Sequence, residues 1–425
     1  MAQHTEQRNE RAFTAIWLAQ CISFLGFEIV GFAAGVWVYQ HTRSVLLFAL
    51  TVFFNVLPLA LVPRLAQMRV VRRHQRLGMV LGEAGAGIST LALAALLFSG
   101  KLETWHVFVA RLAIASSCAI QRESLSSAIQ QRIAEPRRAR ANGMVDIGRV
   151  IGMIVSPPLS AVLITGFDFE SVFWAGSATY LLSLVTLAGV TMGPLQSGPG
   201  VASTPQSSEG RKRARSFLVA HPGLLCLMLF FAFTNLVMGV VSVLLTPLVL
   251  GFSSILTLGF VASAAGGGVL IGSVLGGRIR GPAQRVHGVL ALSVVQAVFL
   301  VVGGLMPTTP VITLVTFLFL CCVPIMVSFA QGIWKSKVPE ALEKDVLAVR
   351  EGIAWCALLL GYLVAGPLVD HGIEIPRLIA SSGVALLLIT IVGFLQPRLR
   401  RVEKEIRDTA GHDPSEASAH ADETA

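Results

Sequence analysis

A few ionisable side chains stand where an apolar chain tolerates them least. Glu28 lies fifteen residues into an apolar run over 13–39, and Arg111 lies six residues into another over 105–130. At about 1.5 Å per helical residue, Glu28 is about 22 Å from one end and Arg111 about 9 Å from the other. An ionised group at the centre of a membrane helix costs at least about 2.5–3.5 kcal/mol, so one that is present there should face a partner or water. The chemistry open to such a carboxyl is taking up and releasing a proton. The neighbouring arginine would tune that carboxyl or hold an anionic part of a cargo.

A second group, Arg122 and Glu123 with Asp146 and Arg149, alternates in sign around one helix–loop–helix junction. Four such charges can neutralise one another, which suits packing of an inner gate, and Glu83 is placed to join them. Uncharged polar residues recur in other apolar runs: Gln20, Ser23, Thr234, Asn235, Ser328 and Gln331. They are candidates for binding a cargo, or for hydrogen bonds between helices.

These residues need a scaffold, and composition indicates its kind. Of 425 residues, 54% are hydrophobic and 13% charged, about half the charge of an ordinary soluble protein. Twelve apolar segments are long enough to cross a bilayer as helices: 13–39, 45–63, 78–98, 105–130, 141–165, 171–192, 223–250, 257–277, 288–306, 311–333, 351–369 and 377–395. Strand-type alternation is absent, and a backbone in lipid must satisfy its hydrogen bonds within each segment. The expected class is therefore an all-α integral membrane protein.

Between the segments, 26 of the 33 Lys and Arg residues fall on the side of the termini, three on the other side and four inside segments. Positive loops stay in the cytoplasm, so both termini are expected there. The stretch RLAQMRVVRRHQRL, at 64–77, is one such loop. The net charge of +9 is spread over these loops and forms no single basic face, so no nucleic-acid partner is expected. The six cysteines all lie in apolar stretches, without CxxC or Cys/His spacing, so neither disulfides nor a metal site is expected. No nucleotide-binding GxxxxGK[ST] loop, cofactor fingerprint or catalytic triad appears, which argues against an enzyme and for an ion gradient as energy source.

The stretch GPLQSGPGVASTPQSSEGRKRAR has linker composition. It divides the chain into a half at 1–192, a cytoplasmic linker at 193–222, a second half at 223–395 and a polar tail at 396–425 expected to be disordered. The basic loops after segments 2 and 8 correspond, as do those after segments 4 and 10. This is a weak echo of two parallel six-helix repeats.

Several stretches carry a family resemblance: SFLGFEIVGFAAGVWVYQHTRSVLLFAL, KLETWHVF, ARANGMVDIG, HPGLLCLMLFFAFTN, QGIWKSKVP and VLAVREGIAWCALLLGYLVAGPL. In these the sequence resembles the major facilitator superfamily, and within it the bacterial drug-efflux branch of macrolide and siderophore exporters. The subgroup it most resembles is often encoded beside nonribosomal peptide synthetases. The resemblance implies twelve transmembrane helices in two six-helix pseudo-repeats. It also implies a monomer in the bacterial inner membrane that exports an amphipathic small molecule or peptide-like product by proton antiport, with no cofactor. Its expected partners are that small-molecule substrate, protons or another cation, and the lipid bilayer. The family fold sets segments 1 and 4 side by side, which makes Glu28 and Arg111 a candidate proton-coupling pair.

The sequence also departs from the family pattern. After segment 2 the family carries a Gly, an Asp and arginines, but here Ala66 replaces the Gly and no acid stands between Arg64 and Gly82. A substitute latch would join Arg72 or Arg73 to Asp345 or Glu351, with Arg350 beside it. An importer or lipid flippase of the same fold, or a transport-inactive sensor, are the other readings.

Overall fold

The computed structural model describes residues 2–65, 74–133, 135–189, 208–279, 281 and 284–402. Among these, all regular structure is helical. The first half contains α1 (Ala2–Thr42), α2 (Val45–Leu65), α3 (Gln75–Phe98), α4 (Thr104–Arg132), α5 (Glu135–Gly166) and α6 (Phe169–Gly189). A connecting helix, α7 (Ser208–Ala220), follows. The second half contains α8 (Pro222–Phe252), α9 (Ile255–Arg278), α10 (Arg285–Leu305), α11 (Thr309–Lys337), α12 (Glu340–Asp370) and α13 (Ile375–Leu395), with a short α14 (Pro397–Arg401) after it.

The twelve apolar segments correspond to α1–α6 and α8–α13. Ten of these helices are long and apolar enough to cross a membrane, which makes this a multi-pass membrane protein. The other two are α2, an apolar helix of which Val45–Leu61 is counted among the described residues, and α4, whose Arg111, Arg122 and Glu123 lower its hydropathy. Charge is thus concentrated on the helix that composition alone marks least strongly as a span.

Packing repeats between the halves. In the first half α1 packs on α5 and α6, and α3 on α4 and α6; in the second, α9 packs on α11, α10 on α13, and α8 on α12. Between membrane helices no water is expelled, so close fit and small residues do the work that burial does in water. At the α8–α12 contact Gly239 and Gly361 face each other, and a Cβ on either would lie about 3 Å from the other's Cα.

The halves meet through α5 on α9 and through α2 on α12. Ser263 donates to the Ile154 carbonyl oxygen at 2.7 Å, and Gly259 lies against Pro157, Pro158 and Ala161. Phe48 and Ala49 share an apolar cluster with Val240, Leu244 and Tyr362. These contacts lie from mid-bundle toward the end opposite the termini.

Within the stretch 193–222 read as linker, Ser208–Ala220 is helical and docks on the second half. Ala214 and Leu218, four apart, are buried there, while Arg211, Lys212, Arg213 and Arg215 are exposed. An i, i+4 apolar pair among basic residues is enough to give a helix one side that packs. At the start of the tail, Leu399 and Val402 are buried against the second half. The rest of that tail, from 403, lies outside the described residues.

Candidate functional site

The interior of the first half contains two polar centres. The first is built around Phe24 and Phe27 on α1. The guanidinium carbons of Arg122 (α4) and Arg149 (α5) lie 5.2 and 5.4 Å from the Phe24 ring centroid. That of Arg111 lies 5.1 Å from the Phe27 ring. Aromatic faces attract cations, and desolvation strengthens the attraction. The spacing of Gly148 and Gly152 lets α5 approach α1: a Cβ on Gly152 would meet Phe24 at 3.7 Å. The Trp17 indole donates to the Met144 carbonyl oxygen at 2.7 Å and ties the same two helices together.

Glu28 stands one turn beyond Phe24, partly exposed, and the charges of Arg111, Arg122 and Arg149 all act on it. Arg111 is 1% exposed and donates through Nη2 to Asn55 Oδ1 on α2, while its Nη1 has no hydrogen-bond partner. Glu28 and Arg111, expected as a buried pair, are near enough to influence each other, but no ion pair joins them among the described residues. Asn55, which the sequence analysis missed, is the group Arg111 touches. Its signal was one amide in the run LLFALTVFFNVLPLALV.

The four-charge junction is only partly assembled. Arg149 lies 3.7 Å from Asp146, whose side chain is 70% exposed, so water screens that bridge. Glu123 is half-buried beside Arg122. Glu83 does not join this group.

Glu83 instead forms the second centre. It is 1% exposed and receives Ser23 Oγ from α1 at 2.9 Å, Ser183 Oγ from α6 at 2.6 Å, and Gln121 Nε2 from α4. Gln121 also reaches Ser23 Oγ at 3.4 Å. Small residues make this possible. A Cβ on Gly82 would stand 2.7 Å from both the Ser117 carbonyl oxygen and Gln121 Cβ. Gln121 and Ser183 were not among the sequence candidates; the Gly78–Gly82–Gly85 spacing beside Glu83 was the available signal.

The remaining candidates scatter. Gln20 is buried with its Nε2 unpartnered, one turn before Ser23. Thr234 and Asn235 bond to the Phe231 carbonyl oxygen of their own helix. Ser328 donates to Gly276 O at 2.9 Å, a bond from α11 to α9, and Gln331 is exposed. Of the proposed latch, Arg72 and Arg73 lie outside the described residues. Asp345 lies against Gly210 of α7, Arg350 stacks on Trp334 at 5.4 Å, and Glu351 is exposed.

Two bundles of six helices around a charged interior are the frame of a carrier, and the family model for the Major Facilitator Superfamily matches residues 16–356. The chain belongs to that superfamily. Its fold is the major facilitator fold, all-helical and membrane-spanning. It is similar to a solved structure of the human organic anion transporter MFSD10 (TETRAN), at 15% identity and a TM-score of 0.60, over 90% of this chain and 99% of that one. It is also similar to a variant of the peptide transporter POT, at 11% identity and a TM-score of 0.69, over 92% of this chain and 95% of that one. At these identities the likeness is one of fold. No curated protein sequence matches the chain.

Proposed function

We propose that this superfamily member is a secondary active transporter of the bacterial inner membrane, with both termini cytoplasmic. It exports an amphipathic small molecule or peptide-like natural product by proton antiport. The observation that carries the reading is Glu28, a carboxyl inside the first half, partly exposed and under the charges of three arginines. A proton on Glu28 removes the negative charge that offsets those guanidiniums. The cluster then repels itself more strongly in a medium where charges are weakly screened. Proton and cargo thus act on one set of side chains, which is the requirement for coupling.

Alternating access supplies the movement. Among the described residues, contacts between the halves include Ser263 on Ile154 and Leu46 on Gly366, and a carrier closed at the end opposite the termini would use them.

The test uses the full chain in inside-out vesicles with an imposed pH gradient. Amphipathic dyes and peptide-like products should accumulate, and a protonophore should abolish the accumulation. Glu28→Gln should abolish pH-driven transport while the protein stays folded. Accumulation only in right-side-out vesicles would make the chain an importer, and binding without accumulation a sensor. Either result overturns the export reading.

A further inference from the structure

The carboxyl of Glu83 has no role in the site around Glu28, and its surroundings are of a different kind. Three helices each deliver one neutral donor to it: Ser23 from α1, Gln121 from α4 and Ser183 from α6. The titratable groups that its charge reaches are Cys118 on α4 and Tyr180 on α6, both buried; Arg111 acts on both of these and Arg122 on Cys118. From α1 it meets the Ser23 hydroxyl. No ion pair to Glu83 exists among the described residues, whereas Glu28 feels three guanidiniums.

A buried carboxylate without a cation is costly, and a bound proton removes the charge. The cage can serve both forms. Hydroxyls donate or accept by rotation, and an amide presents oxygen or nitrogen by turning over. Two carboxyl groups in one membrane domain, one beside cations and one beside neutral donors, are thereby divided between two roles.

We propose that Glu83 is a second proton-binding site, holding a proton as a neutral acid in the closed cage and releasing it when α1 moves away far enough for water to reach and solvate the carboxylate. The step is the loss of H⁺ from the carboxylic acid to water, leaving a carboxylate. Gln20, one turn before Ser23, has a buried amide nitrogen without a partner among the described residues, so α1 is not held there by a side-chain bond from that group. The inference rests on the antiport reading and deepens it, since it names a second residue, besides Glu28, for the coupling proton.

The experiment is infrared difference spectroscopy on the full chain in lipid nanodiscs, titrated with pH in H₂O and D₂O. The protonated-carboxyl C=O band should be present, should shift on deuteration, and should disappear in Glu83→Gln while remaining in Glu28→Gln. Ser183→Ala and Ser23→Ala should each change the pH at which the band titrates, and they keep the test available if Glu83→Gln does not fold. A band unchanged in Glu83→Gln, or a titration unchanged in both serine variants, overturns the proposal. A band that responds to NaCl at fixed pH overturns the assignment to a proton. pH-driven transport at wild-type rate in Glu83→Gln overturns the coupling role. A Glu83 band in a chain that accumulates no cargo overturns the antiport reading and leaves the proton site standing.

Discussion

The two halves of the bundle share a helix order and differ in what they bury. Inside the first lie Glu28, Glu83, Arg111, Arg122 and Arg149. The second half, among the described residues, has one comparably placed guanidinium, Arg350 on Trp334, and its fully buried polar side chains are neutral: Ser293 bonds Thr390 at 2.7 Å, Gln296 donates to the Phe319 carbonyl oxygen at 3.0 Å, and Ser382 bonds within its own helix. Hydroxyl and amide pairs of that kind join helices without storing charge. The difference teaches where an ion can act. Among the described residues, only the first half buries charged side chains almost completely, Glu83 and Arg111.

Several substitutions would break or sharpen this contrast. The largest effect is expected at Gly82, where a side chain must displace Gln121 and the Ser117 backbone. Gly82→Leu should cost about 3 kcal/mol, the upper part of the overpacking range, and read out as a lower midpoint of thermal unfolding in detergent. Asn55→Ala leaves the buried Arg111 guanidinium without its hydrogen bond and should cost about 1–3 kcal/mol. Arg111→Met, by contrast, should leave stability close to wild type and abolish transport, because an apolar side chain of similar length needs no partner. If Arg111→Met unfolds the protein and Asn55→Ala does not, the cation is structural and the comparison fails.

A matched pair tests the halves directly. At a pH where Glu83 is ionised, Ser183→Ala removes a donor to a carboxylate and should cost about 1.5–3 kcal/mol, against about 0.5–1.5 for Ser293→Ala at its neutral pair. Equal losses in chemical denaturation would show that charge adds nothing to the first half. The smallest effect is expected at Gln331, exposed on α11, where Gln331→Ala should stay within about 0.5 kcal/mol and leave transport unchanged.

Much of the site was legible before any coordinates, though unevenly. Glu28, Arg111, Arg122 and Arg149 were conspicuous because an ionisable residue in an apolar run is rare and costly. Their partners were not. Asn55, Gln121 and Ser183 are ordinary polar residues in their own segments, and only the crossing of helices makes them neighbours of a charge. Glu83 shows the limit most clearly. Its place near the start of a segment suggests a gate beside Arg122, but α3 turns it toward Ser23, Gln121 and Ser183 instead. Hydropathy likewise marks Ser328 and Gln331 alike, yet Ser328 bonds α9 while Gln331 lies on the surface.

By itself the sequence determined that the chain is helical and crosses a membrane many times. Those properties follow from local quantities: the length of an apolar run and the demand that a backbone in lipid bond to itself. Tertiary structure alone decided which charge meets which partner. Facing is set by helix rotation and by how closely glycine-bearing surfaces approach, and neither can be summed along one segment. Glu28 and Glu83 are the same residue in similar apolar surroundings by sequence; three guanidiniums near one and three neutral donors around the other make them different acids.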